Sequence, residues 1–334
     1  YSSIDNHYKQ DIIETIQEYN KNASFFIQEK VHGSNLQFII DFNLEPAIYT
    51  GSRNQFLNVK GEIYNSNYIK EKLKLFLYSV VSILKQDQPN FIEQVIFYGE
   101  IFGGTFLNKT NSKYCVIQKG VEYSFKNHFY LFDICINRQY FLDYSTIEFL
   151  FNKCKDCVED DTLLLAKNLY TGTFDQCLQT SNQWIEDSIT SYIAPMLNPG
   201  VEENLLKDNI PEGFVIKPFE KSQLKYRPII KVKHPNFFEK KKIKYNPSKT
   251  LSKEANNTLL QIKECITKNR IDSVKSKQFY NLKDNKDCTI LVNHILLDIY
   301  KELSINANEW TKEKKKLIEK LARTDIWKIL KIIR

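Results

Sequence analysis

The chain has 334 residues, of which 42% are hydrophobic, so it can form one large domain or two domains with a substantial core. Lysine and arginine outnumber aspartate and glutamate by 47 to 40, and the net charge of +7 favours anionic partners such as nucleic acid. The sequence has no run of about 18 apolar residues, which excludes a membrane-spanning helix and a membrane partner.

The seven cysteines are odd in number and irregularly spaced, so they do not indicate a disulfide framework. This usage predicts an intracellular protein in a reducing compartment. Cys154 and Cys157 form a single CxxC pair. Without a second pair or clustered histidines, the pair does not indicate a zinc site.

The first two-thirds of the chain alternates between strands and a few helices. Bulky apolar runs predict strands at Ser24–Gln28, Leu36–Ile40, Gln94–Phe102, Phe129–Ile136, Gln139–Asp143, Gly213–Lys217 and Pro228–Lys233. Apolar residues at a helical period predict helices at 69–84, 145–154 and 183–196. Asn137 and Arg138 lie between two predicted strands, which indicates a hairpin turn.

After about residue 245 the strand pattern stops and helical periodicity continues to the end. Helices are predicted at Leu251–Ile266, Thr289–Leu303 and Glu309–Ile333. The predicted fold class is therefore α+β, with antiparallel sheets and flanking helices in residues 1–245 and a small all-helical domain in 246–334.

Lys30 lies just after the first predicted strand, Ser24–Gln28, at the strand end, and Gly33 follows in a turn. A lysine at the end of a buried strand must find a partner for its ammonium or lose its proton. A neutral lysine amine is a nucleophile, and a glycine nearby would let a bulky anion approach the backbone. The alternative is a lysine that extends its charge to solvent along the surface.

Two carboxylates also lie at the ends of predicted strands. Glu100 lies within a strongly apolar strand, near its end, and Glu212 precedes the strand that starts at Gly213. Such a carboxylate is costly unless it meets a cation, a metal or a hydroxyl group. A salt-bridged residue at the rim of the sheet is the other interpretation.

Lys231 and Lys233 are two residues apart on one predicted strand, so both side chains lie on the same face. An anion such as phosphate would relieve their repulsion, whereas a solvent-facing edge strand needs no ligand. The surrounding segment 217–244 has ten basic and two acidic residues. This excess suits a polyanion, although a solvated charged surface has the same composition.

In chain order, these sites resemble the motifs of covalent nucleotidyltransferases, and more narrowly those of the RNA ligase 2 family. The first motif is KVHGSN at residues 30–35, which matches the family's KxHGxN. The others are FYGE at 97–100, Phe132-Asp133, EGFVIK at 212–217 and IKVK at 230–233. The resemblance covers nearly the whole chain, and the helical tail replaces the C-terminal OB-fold of DNA ligases and capping enzymes.

The resemblance implies an ATP-dependent RNA ligase in which Lys30 bonds covalently to AMP. It implies that Glu100 and Glu212 hold Mg²⁺, partly through waters, that Mn²⁺ can substitute, and that Asp133 is a further metal candidate. Phe132 would stack on adenine. The remaining expected site residues are Lys231 and Lys233 on the α-phosphate, Arg53 and Asn35 on phosphate and RNA ends, His32 in the nucleic-acid steps, and Glu29 and Lys217 in the nucleotide pocket.

The implied partner is RNA with 3′-hydroxyl and 5′-phosphate ends, in a duplex, bound by a monomeric enzyme. The helical tail is expected to engage RNA ends; a tail that merely packs on the catalytic domain is the alternative. A DNA ligase, a capping-type guanylyltransferase and a catalytically silent RNA-binding module remain as competing functions. Intact motif residues argue against the silent module.

Overall fold

The computed structural model describes residues 4–7, 9–44, 47–53, 56–57, 62–87, 91–220, 227–238 and 251–333. The chain divides into two compact units, Tyr1–His234 and Pro235–Arg334. The predicted domain boundary between residues 245 and 246 lies outside the described residues.

The first unit contains all the described strands and five of the described helices. The strands are β1 (Asp5–Asn6), β2 (Phe25–Lys30), β3 (Ser34–Asp41), β4 (Ile48–Ser52), β5 (Phe56–Leu57), β6 (Gln94–Phe106), β7 (Lys109–Thr110), β8 (Ser124–Ile136), β9 (Tyr140–Phe141), β10 (Leu163–Leu165), β11 (Tyr170–Gly172), β12 (Gly213–Pro218) and β13 (Ile230–Lys233). The helices are α1 (Gln10–Tyr19), α2 (Ser66–Asp87), α3 (Tyr144–Cys154), α4 (Phe174–Glu186) and α5 (Ile193–Leu197). The predicted α+β class is confirmed.

One sheet has five strands in the order β1-β13-β12-β2-β11. Strand β12 is antiparallel to both β2 and β13, and Gly213 pairs with Lys30 on one side and Lys233 on the other. Helices α1 and α4 cover one face of this sheet, where Ile230 and Val232 are buried. Because side chains alternate along a strand, Lys231 and Lys233 lie on the opposite face.

The second sheet follows the order β10-β8-β6-β3-β4-β5, with β7 beside β6 and β9 beside β8. Strands β6 and β8 are 13 residues long. Helix α2 packs on one face of this sheet through Ile69, Leu73, Leu77 and Val80, which are fully buried. Their spacing is the helical period that predicted this helix, so the prediction is confirmed.

The predicted hairpin after the central strand is also confirmed. Strand β9 pairs antiparallel with β8, and the three residues between them are Asn137, Arg138 and Gln139, of which Asn137 and Arg138 form the centre of the turn. Their φ angles are 54° and 59°, the left-handed conformation that a tight hairpin turn with matching twist requires.

The predicted single helix at 183–196 is wrong, because two helices occupy this region. Helix α4 starts well before residue 183 at a capping box, in which Thr173 and Gln176 satisfy each other's backbone N–H groups. It ends before Ser188, which has a φ of 49°. Helix α5 then starts afresh, and Pro195 lies in its first turn, where a missing N–H costs nothing.

The second unit contains α6 (Lys253–Glu264), α7 (Lys268–Lys275), α8 (Asn285–Glu302) and α9 (Lys312–Ile333). The three predicted tail helices are confirmed as α6, α8 and α9. Helix α7 was missed because it is only eight residues long with two buried apolar side chains, Ile271 and Val274. The unit has its own core, and no described helix of either unit is long and apolar enough to cross a membrane.

Candidate active site

Lys30 is the last residue of β2, whose preceding side chains are all buried. Its Nζ atom donates to Oε2 of Glu212 at 2.7 Å. The turn that follows packs tightly against β6: a Cβ atom on Gly33 would lie 2.3 Å from the carbonyl oxygen of Ile101. The glycine was expected to make room for an anion. The structure gives a different reason, because this glycine lets two backbone segments touch.

Glu212 contacts three other predicted site residues. Besides Lys30, its Oε2 faces Nδ1 of His32 at 3.1 Å, and its Oε1 lies 2.9 Å from Nζ of Lys233. The residue is only 5% exposed, and burial alone would raise the pKa of its carboxyl. The two ammonium groups and the imidazole together outweigh burial and hold the pKa of Glu212 well below its usual range.

Glu100 lies in β6, paired in register with Asn35 of β3. Burial raises the pKa of its carboxyl to about 7, against the opposing influence of Lys30 and Arg53. The nearby charge of Glu212 acts in the same direction as burial. Glu100 and Glu212 therefore form a pair of interacting carboxylates beside Lys30, in which both oxygens of Glu212 already face Lys30, His32 or Lys233.

A pocket is lined by residues of both sheets, and Lys30 is part of its wall. Its wall includes seven predicted site residues, Glu29, Lys30, Asn35, Arg53, Glu100, Phe132 and Lys217, together with Ile4, Gln28, Val31, Tyr130 and Val215. The seven predicted site residues lie in β2, β3, β6, β8 and β12, except Arg53, which directly follows β4. The fold therefore brings widely separated motifs together around one cavity.

Two polar atoms in this pocket wall are buried without a hydrogen-bond partner among the described residues. They are Oδ1 of Asn35 and Nε of Arg53. A buried polar group without a partner is costly, and a polar ligand in the pocket would satisfy both. The wall is thus suited to a ligand with both hydrogen-bond donors and anionic groups.

Phe132 contacts a cluster of ion pairs formed by Lys217, Asp133 and Arg227. Lys217 is 2% exposed, and its Nζ donates to the carbonyl of Phe132 at 2.8 Å and to Oδ2 of Asp133 at 3.0 Å. The other oxygen of Asp133 lies 2.7 Å from Arg227. Burial lowers the pKa of Lys217 to about 8, and Asp133 opposes this shift.

This cluster bears on two predicted roles. Both carboxylate oxygens of Asp133 pair with cations, Lys217 and Arg227. Among the described residues no cluster of three metal-binding side chains brings Asp133 together with Glu100 and Glu212. Lys217, which the resemblance places in the nucleotide pocket, lies in the wall of the same pocket as Lys30.

Lys231 lies in β13 opposite Val215, with Lys233 two residues further on the same face. Lys233 contacts the carboxylate of Glu212. Of the basic segment around this strand, Lys221, Lys225, Lys240, Lys241, Lys242 and Lys244 lie outside the described residues.

His32 is held at three points. Its Nδ1 faces Glu212, its Nε2 lies 3.1 Å from the carbonyl of Lys119, and its backbone N–H donates to the hydroxyl of Tyr123 at 3.0 Å. Its imidazole therefore lies beside the ammonium of Lys30, on the same carboxylate.

Several residues that support the site were not predicted. The carboxyl of Glu29 is bonded by Ser191 and Tyr192, and Tyr123 and Asn209 extend this buried network. No short motif marks these positions, because each works through tertiary contacts across 80 or more residues. The seven cysteines are free thiols, as the sequence predicted.

A family model described as RNA ligase matches residues 23–233, more than half of the chain. The chain belongs to the RNA ligase family. The resemblance drawn from the motifs is therefore confirmed at this level, and the matched segment spans every motif from Lys30 to Lys233. Curated protein sequences give no match to this member of the RNA ligase family.

Solved structures similar to this RNA ligase family member include Naegleria gruberi RNA ligase. A ligand-free mutant is 19% identical, with a TM-score of 0.47, and the alignment covers 71% of this chain and 56% of that one. A mutant with AMP and Mn is 18% identical at a TM-score of 0.47, with the same coverage. The form with pyrophosphate is 17% identical at 0.46, again covering 71% and 56%. The aligned region thus spans little more than half of the Naegleria chains.

Proposed function

We propose that the chain is an ATP-dependent RNA ligase that joins 3′-hydroxyl and 5′-phosphate ends at nicks in duplex RNA. The observation that carries this proposal is the position of Lys30, in the wall of a pocket and in contact with the carboxylate of Glu212. Membership of the RNA ligase family supports the same chemistry.

In the first step, Nζ of Lys30 attacks the α-phosphorus of ATP. A nitrogen–phosphorus bond forms, the bond to the pyrophosphate oxygen breaks, and pyrophosphate leaves. In the second step, an oxygen of the RNA 5′-phosphate attacks the phosphorus of the lysyl–AMP. A phosphorus–oxygen bond forms, the nitrogen–phosphorus bond breaks, and Lys30 leaves as an amine after taking up a proton. In the third, the 3′-hydroxyl attacks that activated phosphate, the strands join, and AMP leaves.

The first step needs Lys30 as a neutral amine, because only an amine with a free lone pair can attack. The contact with Glu212 favours the charged ammonium, since opposite charges attract. Lys30 must therefore leave Glu212 and give up its proton before attack. Lys233 and His32 remain as partners that keep Glu212 charged when Lys30 departs.

The two carboxylates fit a magnesium ion. Among the described residues no three His, Cys, Asp or Glu side chains converge on one point, so a site made only of protein ligands is not indicated. Mg²⁺ commonly binds through one or two carboxylates together with waters and substrate phosphates. Glu100 and Glu212 supply those carboxylates, and Mn²⁺ would suit the same oxygens. When bound, the ion would neutralise charge on the phosphates and on the leaving pyrophosphate.

The pocket wall suits a nucleotide. Phe132 offers a ring for the adenine, and the ion pair of Lys217 with Asp133 fixes the strand that carries it. Arg53 and Asn35 have buried polar atoms that phosphate, ribose or RNA groups would satisfy. Lys231 and Lys233 lie on one face of β13, Lys233 contacts the same carboxylate as Lys30, and both lysines would bind the α-phosphate.

The helical unit is proposed to bind the RNA backbone. Its helix α9 exposes a row of lysines, Lys312, Lys316, Lys320, Lys328 and Lys331. The acidic residues Glu319 and Asp325 are only partly exposed. Glu319 pairs with Arg323, and Asp325 pairs with Lys263 and with Lys328 at one end of the row. Glu313 is the only exposed acidic residue on α9. The helix therefore presents a row of positive charge about 28 Å long, which suits a phosphate backbone.

The test is transfer of labelled AMP from ATP to the protein. We expect an adduct on the wild-type chain and none on Lys30→Ala. The exposed Lys21→Ala variant, which removes a lysine outside the site, should retain the adduct at the wild-type level. Persistence of the adduct in Lys30→Ala would refute Lys30 as the nucleophile.

A further inference from the structure

A buried carboxyl lies directly behind the nucleophile and has no part in the chemistry described above. Glu29 immediately precedes Lys30 and is 3% exposed. Its Oε1 accepts from the hydroxyl of Ser191 at 2.6 Å, and its Oε2 accepts from the backbone N–H of Tyr192 at 3.2 Å. Although Glu29 is part of the pocket wall, its carboxyl is therefore engaged by the segment that leads into α5.

A second tie lies on the other side of Lys30. The backbone N–H of His32 donates to the hydroxyl of Tyr123 at 3.0 Å, and Tyr123 is 1% exposed. The ring of Tyr123 packs edge-on against Phe102 with a centroid distance of 4.9 Å. The chain is thus fixed one residue before Lys30 and two residues after it.

Asn209 connects the segment of Ser191, which binds Glu29, to the segment of Tyr123, which binds His32. Its side chain bridges the backbone of Glu122, donating to the carbonyl at 2.6 Å and accepting from the N–H at 2.8 Å. Its own carbonyl accepts from the N–H of Ser191 at 2.9 Å. Asn209 lies three residues before Glu212. One short segment therefore contacts both Ser191 and Glu122, the neighbour of Tyr123, and also carries the carboxylate that binds Lys30.

We propose that Glu29 is a positioning residue that sets the place of Lys30 through hydrogen bonds, with Ser191 as its partner. The inference rests on the proposed function, since it concerns the attack of Lys30 on ATP. A lysine side chain has four rotatable bonds, so its nitrogen reaches a defined position only if its backbone is fixed. A misplacement of about 1 Å can cost about 100-fold in rate.

The contacts of Glu29 distinguish positioning from a charge effect. Both donors are neutral, so an amide can replace the carboxylate. In Glu29→Gln the amide oxygen can accept from the N–H of Tyr192, and the amide nitrogen can donate to the hydroxyl oxygen of Ser191. In Glu29→Leu the volume is similar but both bonds are lost.

The experiment measures single-turnover formation of the labelled AMP adduct over a range of ATP concentrations. We expect Glu29→Leu to lower the maximal rate constant by about 100-fold while the half-saturating ATP concentration changes less than about 3-fold. Glu29→Gln should stay within about 5-fold of wild type. Ser191→Ala should lower the rate constant by about 10-fold, and adding it to Glu29→Leu should cause no further loss.

Three results would overturn the inference: a wild-type rate in Glu29→Leu, a loss in Glu29→Gln as large as in Glu29→Leu, or additive losses in the double variant. If thermal melting shows that Glu29→Leu does not fold, Ser191→Ala decides. A lower rate constant at an unchanged melting temperature supports positioning, and an unchanged rate constant overturns it. A wild-type chain that forms no adduct refutes the proposed function itself, which separates the two failures.

Discussion

The buried carboxyl of Glu29 should make the stability of the first unit depend on pH. Burial raises the pKa of Glu29 to about 7 from an ordinary value of 4.5, although Ser191 and Tyr192 partly oppose the shift. The folded state therefore prefers the protonated form. Its contribution to stability is fully present below pH 4.5 and is lost as the pH rises through 7.

The size of the effect follows from that difference. At about 1.36 kcal/mol for each pH unit between the two values, the total loss is about 3.4 kcal/mol. Most of it, about 2.5 kcal/mol, falls between pH 5 and pH 8. Glu29→Gln keeps both hydrogen bonds but does not titrate. Its free energy of unfolding relative to wild type should therefore rise by about 2.5 kcal/mol over that range.

Urea unfolding from pH 5 to pH 8 measures this difference. Trp184 lies in α4 and packs against Phe214 of β12, so its fluorescence follows the first unit. Trp310 and Trp327 lie in the second unit and are replaced by phenylalanine in both proteins. Glu100 titrates in the same range, but it is common to both proteins and cancels in the difference.

A matched control is Glu18→Gln in the same background, because Glu18 is exposed in α1. Its difference from wild type should not change with pH. If Glu29→Gln also gives a flat difference between pH 5 and pH 8, the carboxyl of Glu29 is not destabilised by burial and the reasoning fails.

Three further predictions follow from packing and charge. Gly33→Ala should destabilise the first unit by about 1–3 kcal/mol in urea unfolding, because its Cβ would lie 2.3 Å from the carbonyl of Ile101. Arg270→Leu should destabilise the second unit by about 1–3 kcal/mol, followed by Trp310 and Trp327 fluorescence, because it removes buried hydrogen bonds to Asp298 and to the carbonyl of Cys265 while Lys277 remains as a partner of Asp298. Lys316→Ala with Lys320→Ala should weaken binding of nicked duplex RNA and reduce the slope of log affinity against log salt by up to about 2.

The controls for these predictions differ. For Arg270, Lys275→Ala removes a partly exposed pair with Asp272 and should cost under about 1 kcal/mol. For the α9 lysines, Lys283→Ala with Lys286→Ala removes two exposed charges elsewhere in the same unit. Equal loss of RNA affinity in both double variants would argue against a specific role for the row on α9, as would an unchanged salt slope. For Gly33, wild-type stability in Gly33→Ala would contradict the close contact with β6.

Local pattern in the sequence predicted most of the regular structure, because periodicity reports which side of an element is buried. The two-residue alternation of Ile230 and Val232 with Lys231 and Lys233 predicted which face of β13 is polar. The spacing of Ile69, Leu73 and Leu77 predicted α2. Where the signal was a cap rather than a period, as at Thr173 before α4, the prediction failed. The motif order also pointed to the family, since the residue types were already those of a nucleotide-binding site.

Only the tertiary structure decided how these residues meet. Glu212 and Lys30 are 182 residues apart, and their contact depends on β12 lying between β2 and β13 in one sheet. The same fold brings Glu29 into contact with Ser191, 162 residues away. It pairs Asp133 with Lys217 and Arg227 rather than grouping it with Glu100 and Glu212. The alternating pattern of a strand predicts which of its faces is buried, but not which strand lies beside it. The sequence alone therefore proposed the chemical groups of the candidate site, and strand order and packing decided which of them touch Lys30.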